Sequence, residues 1–278
     1  MNSKVTSPVI GIDLGTTNSC VSIMKRQQAW VIENTKGAWT TPSIVAFMNH
    51  NECLVGLPAK CQAVINPTNT IFTFKHLIGQ KFKDTEVQED IKHWPFKLAK
   101  KTDDRLAVKV DVLMVYQSAE ELLSMVLMKM QETVKQYLNK KINHKDAGQI
   151  ASLEVLQVIN EPMVTALAHG LNRTYSLVIA MYDLGGGTFD ISILEMQNGV
   201  FEVKLMNGDT HLSGEEFVIS LVNHILGEFK ESGINLSEDR VAIQHICKAA
   251  EKVKMVLSLT TQTCLSSPPT QVAPSISI

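Results

Sequence analysis

The sequence predicts an α/β fold made of two lobes that face each other across a cleft. The main observation is a strand–turn–strand pattern that occurs twice, once around Asp13 and again around Asp183. The second is a set of helical patterns, in which apolar side chains recur at three- and four-residue spacing. The third is length, because 278 residues are enough for two lobes that share a cleft.

Composition excludes several classes of protein. The net charge of -2 creates no field that would attract nucleic acid or an anionic membrane. No segment reaches the roughly 18 uninterrupted apolar residues that a membrane helix needs. The five cysteines are scattered and include no C-x-x-C pair, so neither a structural zinc site nor a disulfide framework is expected. We therefore expect no nucleic acid and no membrane as partner.

The first copy of the repeated unit consists of strands at Val9–Ile12 and Cys20–Met24, joined by the turn Asp13–Asn18. Short strands at Ile44–Phe47 and Cys53–Val55 follow, on either side of an asparagine-rich turn.

The clearest helix is predicted over Ser118–Leu138. Ser118 and Glu121 have the spacing of a capping box, in which each side chain accepts from the other residue's backbone N–H. An apolar stripe follows at helical spacing, from Ala119 to Val134.

The apolar run Val155–Ile159 predicts a strand, and Pro162 starts a new element. The remaining predicted elements are the second strand pair, Leu177–Tyr182 and Ile191–Leu194, and two helices, Phe217–Phe229 and Val241–Leu257. These elements divide into a first lobe over residues 1–175 and a partial second lobe over 176–262. The tail, 263–278, is rich in Ser, Thr and Pro and lacks periodicity, so it is expected to be disordered.

Both turns contain the residue types that bind phosphate. They are Asp13, Gly15, Thr16 and Thr17 in the first copy, and Asp183, Gly185, Gly186, Gly187 and Thr188 in the second. Glycine lets a backbone N–H approach a phosphate oxygen, and threonine adds a hydroxyl donor. A carboxylate at the head of each turn can hold hydrated Mg²⁺. The alternative is a pair of ordinary tight hairpins, where Asp-Gly and Gly-Gly are common. No G-K-[ST] occurs, so this is not a Walker A loop.

Further segments agree with one family: Thr40–Ser43, Asn66–Thr70, Asn160–Pro162, Asp183–Asp190, Asn207–Thr210 and Ala250–Lys252. With the two turns, they make the chain from Val9 to Gln262 resemble the nucleotide-binding half of the seventy-kilodalton heat-shock chaperones. The sequence is most similar to the mitochondrial branch, called mortalin, and its bacterial DnaK relatives. The resemblance implies an actin-like ATPase fold, ribonuclease-H-like and duplicated, with ATP or ADP and Mg²⁺ as cofactors.

The resemblance also implies a role for each matching residue. Asp13 and Asp183 would hold Mg²⁺ through water, and the turn residues Gly15, Thr16, Thr17, Gly185, Gly186, Gly187 and Thr188, with Gly214, would bind the phosphates. Lys75 would position the attacking water, Glu161 would act as base or hold the metal's water, and Asp183 and Thr188 would also take part in catalysis. Glu251, Lys254 and Ser258 would line the adenosine site.

Plain structural roles are alternatives for several of these residues. Lys75 by itself fits a solvated surface lysine. Glu161 fits a carboxylate at a helix N-terminus beside Pro162. Glu251 fits an exposed position on a helix.

The chain departs from the family at several points. Only Asn139–Lys145 stands where the family has an apolar central strand, so we expect a first-lobe sheet interrupted beside the Asp13 strand. Ser213 replaces a glycine beside Gly214 and adds a Cβ where backbone approaches phosphate. Trp39 and His76 each replace an arginine, and after Gln262 the resemblance stops.

Three functions remain open. The first is the ATP-binding and ATP-hydrolysing domain of a protein-folding chaperone, without a peptide-binding domain and therefore without a client site. The second is a degenerate fragment that does not turn over ATP, and the third is a sugar kinase of the same fold. The resemblance implies a J-domain co-chaperone and a nucleotide-exchange factor as partners. It favours the mitochondrial matrix, whereas residues 1–8 lack a presequence and favour the cytoplasm.

Overall fold

A computed structural model describes residues 9–26, 28–91, 94–101, 105–138, 153, 155–169, 176–197, 200–209, 212–236, 239–265 and 276–277. The chain divides into two compact units, residues 1–154 and 155–278. The lobe boundary that the sequence predicts after residue 175 stays a prediction. Within the described ranges, no helix is both long enough and apolar enough to cross a membrane.

The first unit consists of short antiparallel sheets and one long helix. Its elements are β1 (Ile10–Leu14), β2 (Asn18–Lys25), β3 (Gln28–Val31), β4 (Thr41–Pro42), β5 (Val45–Phe47), β6 (Cys53–Val55), α1 (Leu57–Gln62), β7 (Thr70–Ile71), α2 (Thr85–Asp90), β8 (Lys97–Lys100), β9 (Leu106–Val110), β10 (Val115–Gln117) and α3 (Ala119–Tyr137). The sheets have the strand orders β1-β2-β3 with β4 beside β2, β6-β5-β7, and β10-β9-β8. The predicted strand pairs of this unit, β1 with β2 and β5 with β6, are confirmed.

Helix α3 confirms the predicted capping box. The Ser118 hydroxyl accepts from the Glu121 N–H at 3.2 Å, and the Glu121 carboxylate accepts from the Ser118 N–H at 2.6 Å. The C-terminal half of the helix packs Met130 and Val134 against Val21 of β2. This packing fixes the back of the sheet that carries the first turn.

Strand β1 lies at the edge of its sheet. Among the described residues it pairs only with β2, and the expected interruption beside the Asp13 strand stays a prediction. The segment 139–145, where the missing strand would belong, lies outside the described residues.

The predicted strand at Val155–Ile159 is wrong, because these residues form no strand in the structure. Their side chains are exposed, with exposed fractions of 70% for Val155 and 86% for Val158. An apolar run becomes a strand only when a neighbouring strand accepts its backbone hydrogen bonds. The family resemblance places that neighbour at residues 139–145, which lie outside the described residues.

The second unit contains one larger sheet and a helical pair. Its elements are α4 (Glu161–Ala168), β11 (Leu177–Leu184), β12 (Phe189–Gln197), β13 (Val200–Asp209), α5 (Gly214–Glu231), α6 (Arg240–Leu257), β14 (Cys264–Leu265) and β15 (Ile276–Ser277). The sheet order is β11-β12-β13, all antiparallel. Helices α5 and α6 share a small core of Val222, Ile225, Ile246 and Ala250. The second strand pair and both helices are confirmed, as is the element that begins at Pro162.

The tail was expected to be disordered from residue 263 onward. In its described part, β14 and β15 instead form a two-residue antiparallel pair, Cys264 with Ser277 and Leu265 with Ile276. The expectation of disorder is therefore not met at these four residues.

Candidate functional site

The first phosphate turn joins β1 to β2. Asp13 is the second-last residue of β1 and lies directly opposite Cys20, and the turn at Gly15–Thr17 follows the strand. A Cβ added at Gly15 would lie 2.3 Å from the Asn18 carbonyl oxygen, far inside van der Waals contact. Only glycine fits at this point, because the backbone of the turn itself comes too close to leave room for a Cβ.

Donors from other elements hold the carbonyl groups of the first turn. The Lys75 ammonium donates to the Leu14 carbonyl at 2.9 Å, and the Ser43 hydroxyl donates to the Gly15 carbonyl at 2.7 Å. The Ser43 N–H also donates to the Thr17 carbonyl, at 2.9 Å. Lys75 thus contacts the base of the turn, which distinguishes it from a lysine that is only solvated.

The second phosphate turn joins β11 to β12. The Gly185 N–H donates to the Thr188 carbonyl at 2.8 Å and closes the turn. Asp183 lies directly opposite Asp190 on the neighbouring strand. The Thr188 hydroxyl donates to the Asp190 carboxylate at 2.9 Å, so Asp190 orients a predicted phosphate ligand.

The N-terminus of α5 lies against this second turn. The Gly214 N–H donates to the Gly185 carbonyl and the Glu215 N–H to the Gly186 carbonyl, both at 3.0 Å. From α6, the Lys254 ammonium donates to the Gly214 carbonyl at 2.9 Å. The structure therefore brings to the second turn both Gly214, which was predicted to bind phosphate, and Lys254, which was predicted to line the adenosine site.

Ser213 acts as the N-cap of α5. Its hydroxyl accepts from the N–H groups of Glu215 and Glu216, and the residue is buried. The added Cβ and hydroxyl are accommodated as a helix cap, a role that serine fills well.

An open groove of about 430 Å³ lies between α5 and α6. Its lining consists of Phe217, Ser220, Leu221, Lys254, Leu257 and Ser258. Two of the three predicted adenosine residues thus line one concave surface. Glu251 lies one helical turn before Lys254 and is absent from this lining.

Residues 9–274 match the sequence model of the family described as Hsp70 protein. The chain belongs to the Hsp70 family. Its fold is accordingly the actin-like ATPase fold of the Hsp70 nucleotide-binding domain, and its strands and helices are consistent with that α/β class. Proteins of this family bind ATP or ADP, typically with Mg²⁺, and bind co-chaperones in general. Because the chain belongs to the Hsp70 family, a sugar kinase no longer explains the duplicated turns.

Two curated Hsp70 relatives are similar over nearly the whole chain. Heat shock protein hsp-6 of Caenorhabditis elegans is 50% identical over 287 residues, covering 96% of this chain and 43% of the relative. Heat shock protein SSC3, mitochondrial, of Saccharomyces cerevisiae is 48% identical over 285 residues, covering 96% and 44%. The chain thus spans less than half the length of these relatives. The matched 287 residues exceed the 278 of this chain, so hsp-6 has residues within the matched span that this chain lacks.

The predicted site residues fall into two sets. The first unit brings together Asp13, Gly15, Thr16, Thr17 and Lys75, and the second Asp183, Gly185, Gly186, Gly187, Thr188, Gly214, Lys254 and Ser258. Glu161 begins α4 with an exposed side chain, and the adjacent Val155–Ile159 segment forms no strand to position it. The catalytic roles of Lys75 and Glu161 stay predictions.

The residues present fit a hydrated magnesium nucleotide. Asp13 and Asp183 are both exposed at the ends of their strands, where a carboxylate can bind an ion through its water shell. A Cβ added at Gly214 would lie 3.3 Å from the Lys254 ammonium and would crowd the second turn. Glycine at this position leaves the backbone uncovered, as phosphate binding to backbone N–H groups requires.

Cys20 lies directly opposite Asp13, the predicted Mg²⁺ ligand of the first turn. Burial raises the pKa of its thiol above the ordinary value, and the facing Asp13 carboxylate raises it further. The thiol is therefore kept protonated at neutral pH and adds no negative charge where phosphate would bind.

Sequence reasoning missed two supporting residues, Asp190 and Ser43. Asp190 could have been found from the strand register, because it is the residue that a hairpin ending in a tight turn places opposite Asp183. Ser43 lies in the Thr40–Ser43 segment that marks the family, but its contact with Gly15 spans 28 residues of sequence. Only the folded structure shows that contact.

Proposed function

We propose that this chain is the MgATP-binding and ATP-hydrolysing domain of an Hsp70-type protein-folding chaperone. The observation that supports the proposal most strongly is the second turn, where the N-terminus of α5 and Lys254 of α6 converge on Gly185–Gly186. A glycine turn whose carbonyl oxygens are bound by a helix N-terminus, with a lysine ammonium nearby, is suited to bind phosphate. At the first turn, Lys75 provides the corresponding cation.

The residues would divide the chemistry as follows. Asp13 and Asp183 would hold Mg²⁺ through water, and the ion when bound would supply positive charge to the nucleotide's phosphates. Lys75 and Thr188 stabilise the charge that moves in the transition state, and Glu161 acts as base or holds the metal's water. Phosphoryl transfer depends mainly on such positioning and electrostatic stabilisation.

The adenosine moiety is assigned to the groove between α5 and α6. The apolar side chains of Phe217, Leu221 and Leu257 offer a surface for a base, while Lys254 and Ser258 provide polar contacts. Glu251 completes this group of residues by the family's pattern.

A degenerate fragment that binds nucleotide without hydrolysing it is the second candidate. It is favoured by the edge position of β1 and by the unpaired segment Val155–Ile159, which directly precedes Glu161. A catalytic base on an unsupported segment is poorly oriented, and loss of orientation lowers turnover more than binding.

One experiment separates these candidates. Equilibrium MgATP binding by titration calorimetry and single-turnover ADP formation are measured on the same purified chain, with Asp183→Asn and Glu228→Gln as variants. Glu228 is exposed and lies 14 residues along α5 from Gly214, so its variant matches the charge change away from the turn. Binding and turnover that fall only in Asp183→Asn support the first candidate. Binding without turnover supports the second, and absence of binding overturns both.

Compartment and partners follow from the relatives only as proposals. SSC3 is described as mitochondrial, and we propose the mitochondrial matrix for this chain, in place of the cytoplasmic location that residues 1–8 suggested. A J-domain co-chaperone and a nucleotide-exchange factor are the proposed protein partners. Co-purification with matrix fractions and J-domain stimulation of single-turnover hydrolysis test these two statements.

A further inference from the structure

A chain of buried hydroxyl groups lies behind the first phosphate turn. Ser19 and Ser43 are almost fully buried, with exposed fractions of 1% and 3%. Their hydroxyl oxygens are 2.9 Å apart, and the Ser43 hydroxyl oxygen lies 2.7 Å from the Gly15 carbonyl oxygen. Serine is a small polar residue that is usually exposed, so two in contact at full burial need a reason.

The direction of both hydrogen bonds follows from counting protons. A carbonyl oxygen can only accept, so the single hydroxyl proton of Ser43 is donated to Gly15. Ser43 must then accept in its bond with Ser19, and Ser19 is the donor. The result is one directed relay, from Ser19 through Ser43 to the Gly15 carbonyl.

Ser43 holds the turn at a second point as well. Its backbone N–H donates to the Thr17 carbonyl at 2.9 Å, so one residue binds the carbonyls on both sides of Thr16. No described residue accepts a hydrogen bond from the N–H of Thr16 or Thr17. With the carbonyls held at the back, these N–H groups are free to meet an anion.

The second turn shows the same arrangement built from other groups. There the carbonyls of Gly185 and Gly186 accept from backbone N–H groups at the start of α5. Both turns thus have their carbonyl oxygens, which would repel phosphate, bound by donors from behind. In the first turn, side chains supply two of the donors, and the Ser43 hydroxyl can be removed by mutation without changing the charge of the site.

We propose that Ser43 is a positioning residue, which holds the Gly15 and Thr17 carbonyls away from the phosphates so that the turn's N–H groups face them. The contribution of Ser43 to nucleotide affinity rests on the proposed function. Its role in positioning the turn does not rest on that function, because the conformation of the turn can be measured in the free protein. Ser19 supports Ser43 and satisfies its buried hydroxyl oxygen.

The test uses the full 278-residue chain with Ser43→Ala, Ser19→Ala, the double variant and Ser22→Ala. Ser22 donates to Gly11 at 3.4 Å in the same hairpin, outside the turn, and provides a matched loss of a hydroxyl. Ser43→Ala should weaken MgATP binding about tenfold, the effect of losing one well-placed hydrogen bond, whereas Ser19→Ala and Ser22→Ala should change it less than about threefold.

The double variant separates positioning from plain stability. Ser43→Ala leaves the Ser19 hydroxyl buried without its partner, which lowers the melting temperature. The double variant also lacks the Ser19 hydroxyl, so it should regain part of the melting temperature that Ser43→Ala loses. It should regain none of the lost MgATP affinity. A protein in which affinity and melting temperature rise and fall together across the four variants would overturn the positioning role.

A measurement without nucleotide keeps the proposal independent of ATP binding. Amide resonances of Gly15, Thr16 and Thr17 in the free protein should shift or broaden in Ser43→Ala and stay in place in Ser22→Ala. Unchanged turn resonances in Ser43→Ala overturn the proposal whether or not ATP binds. If the turn resonances change in Ser43→Ala but the chain does not bind MgATP, the positioning role of Ser43 is supported and only the proposed function is refuted.

Discussion

Substitution of Gly15 by alanine should deform the first turn. The added Cβ would lie 2.3 Å from the Asn18 carbonyl oxygen and 3.4 Å from the Asn18 carbonyl carbon, and both are backbone atoms that no side-chain rotation can move away. Gly15 has no positive φ, so the constraint is space and not dihedral strain. The hairpin must open at the turn for the methyl group to fit.

The cost can be worked from this geometry. Overpacking of this kind typically costs ~1–3 kcal/mol. Replacing glycine also restricts the unfolded chain, which returns ~0.4–1 kcal/mol of stability. The free energy of unfolding should therefore fall by a net ~1–2 kcal/mol, equivalent to a melting temperature lower by about 2–8 °C for a chain of this size.

Gly227 provides the matched control. It lies on the exposed side of α5, and a Cβ added there meets nothing within 4 Å. Alanine in a helix interior is more favourable than glycine by ~0.5–1 kcal/mol, so Gly227→Ala should raise the melting temperature. The same chemical change thus has opposite signs at the two sites.

Thermal melts of both variants, with and without MgATP, check this prediction. Gly15→Ala should melt lower and lose at least about tenfold in MgATP affinity, since its Thr16 and Thr17 N–H groups are displaced. Gly227→Ala should bind MgATP as the parent chain does. A Gly15→Ala variant as stable and as tight in binding as the parent would refute the close approach at Asn18 as the reason for glycine.

Four further predictions concern other parts of the molecule. Lys75→Ala should lower single-turnover hydrolysis far more than ATP affinity, because its role is proposed for the transition state. Strand β1 should exchange its amide hydrogens faster than β2, because one edge of β1 has no described partner. MgATP should stabilise the fold only by mass action. At a hundredfold excess over Kd it should add ~2.7 kcal/mol to the free energy of unfolding and raise the melting temperature accordingly. Finally, hydrogen bonding by Lys109 lowers the pKa of Asp111. The stability from this pair is present above the ordinary carboxyl pKa and is lost as pH falls through the lowered pKa of Asp111. In Lys109→Met, the melting temperature should therefore fall less steeply as the pH is lowered into the acid range.

Each of these has a result that counts against it. Equal losses of affinity and hydrolysis in Lys75→Ala would make Lys75 a ground-state phosphate ligand. A cooperative melt above about 60 °C with strong protection of β1 would mean that the sheet is closed despite the missing strand. A melting temperature that falls as steeply with acid pH in Lys109→Met as in the parent chain would mean that the exposed ion pair with Asp111 adds nothing to stability.

Local signals account for what the sequence predicted correctly. The Ser118–Glu121 capping box and the Asp-Gly turns depend on residues within a few positions of each other, so they could be identified without the fold. Strand β13 was not predicted, because its Val200–Asp209 stretch ends in an Asn-Gly-Asp sequence typical of turns and is held by pairing with β12.

The errors and omissions share one physical cause, which is dependence on a distant partner. The apolar run Val155–Ile159 has the composition of a buried strand but pairs with no strand in the described part of the chain. The Ser43 contact with Gly15 and the Thr188 contact with Asp190 arise from strand register and tertiary approach. Composition and periodicity carry no information on either.

The exposed run Val155–Ile159 also has a consequence for the life of the protein in the cell. It contains five consecutive residues without charge, proline or glycine, four of them aliphatic, and Val158 is 86% exposed. Such a segment can template intermolecular cross-β stacking, and no charged residue interrupts it. Aliphatic stretches of this kind are also what quality-control holdases and proteases bind on unfolded chains. A member of a chaperone family therefore displays, on its own surface, the type of sequence that marks a protein for chaperone capture and degradation.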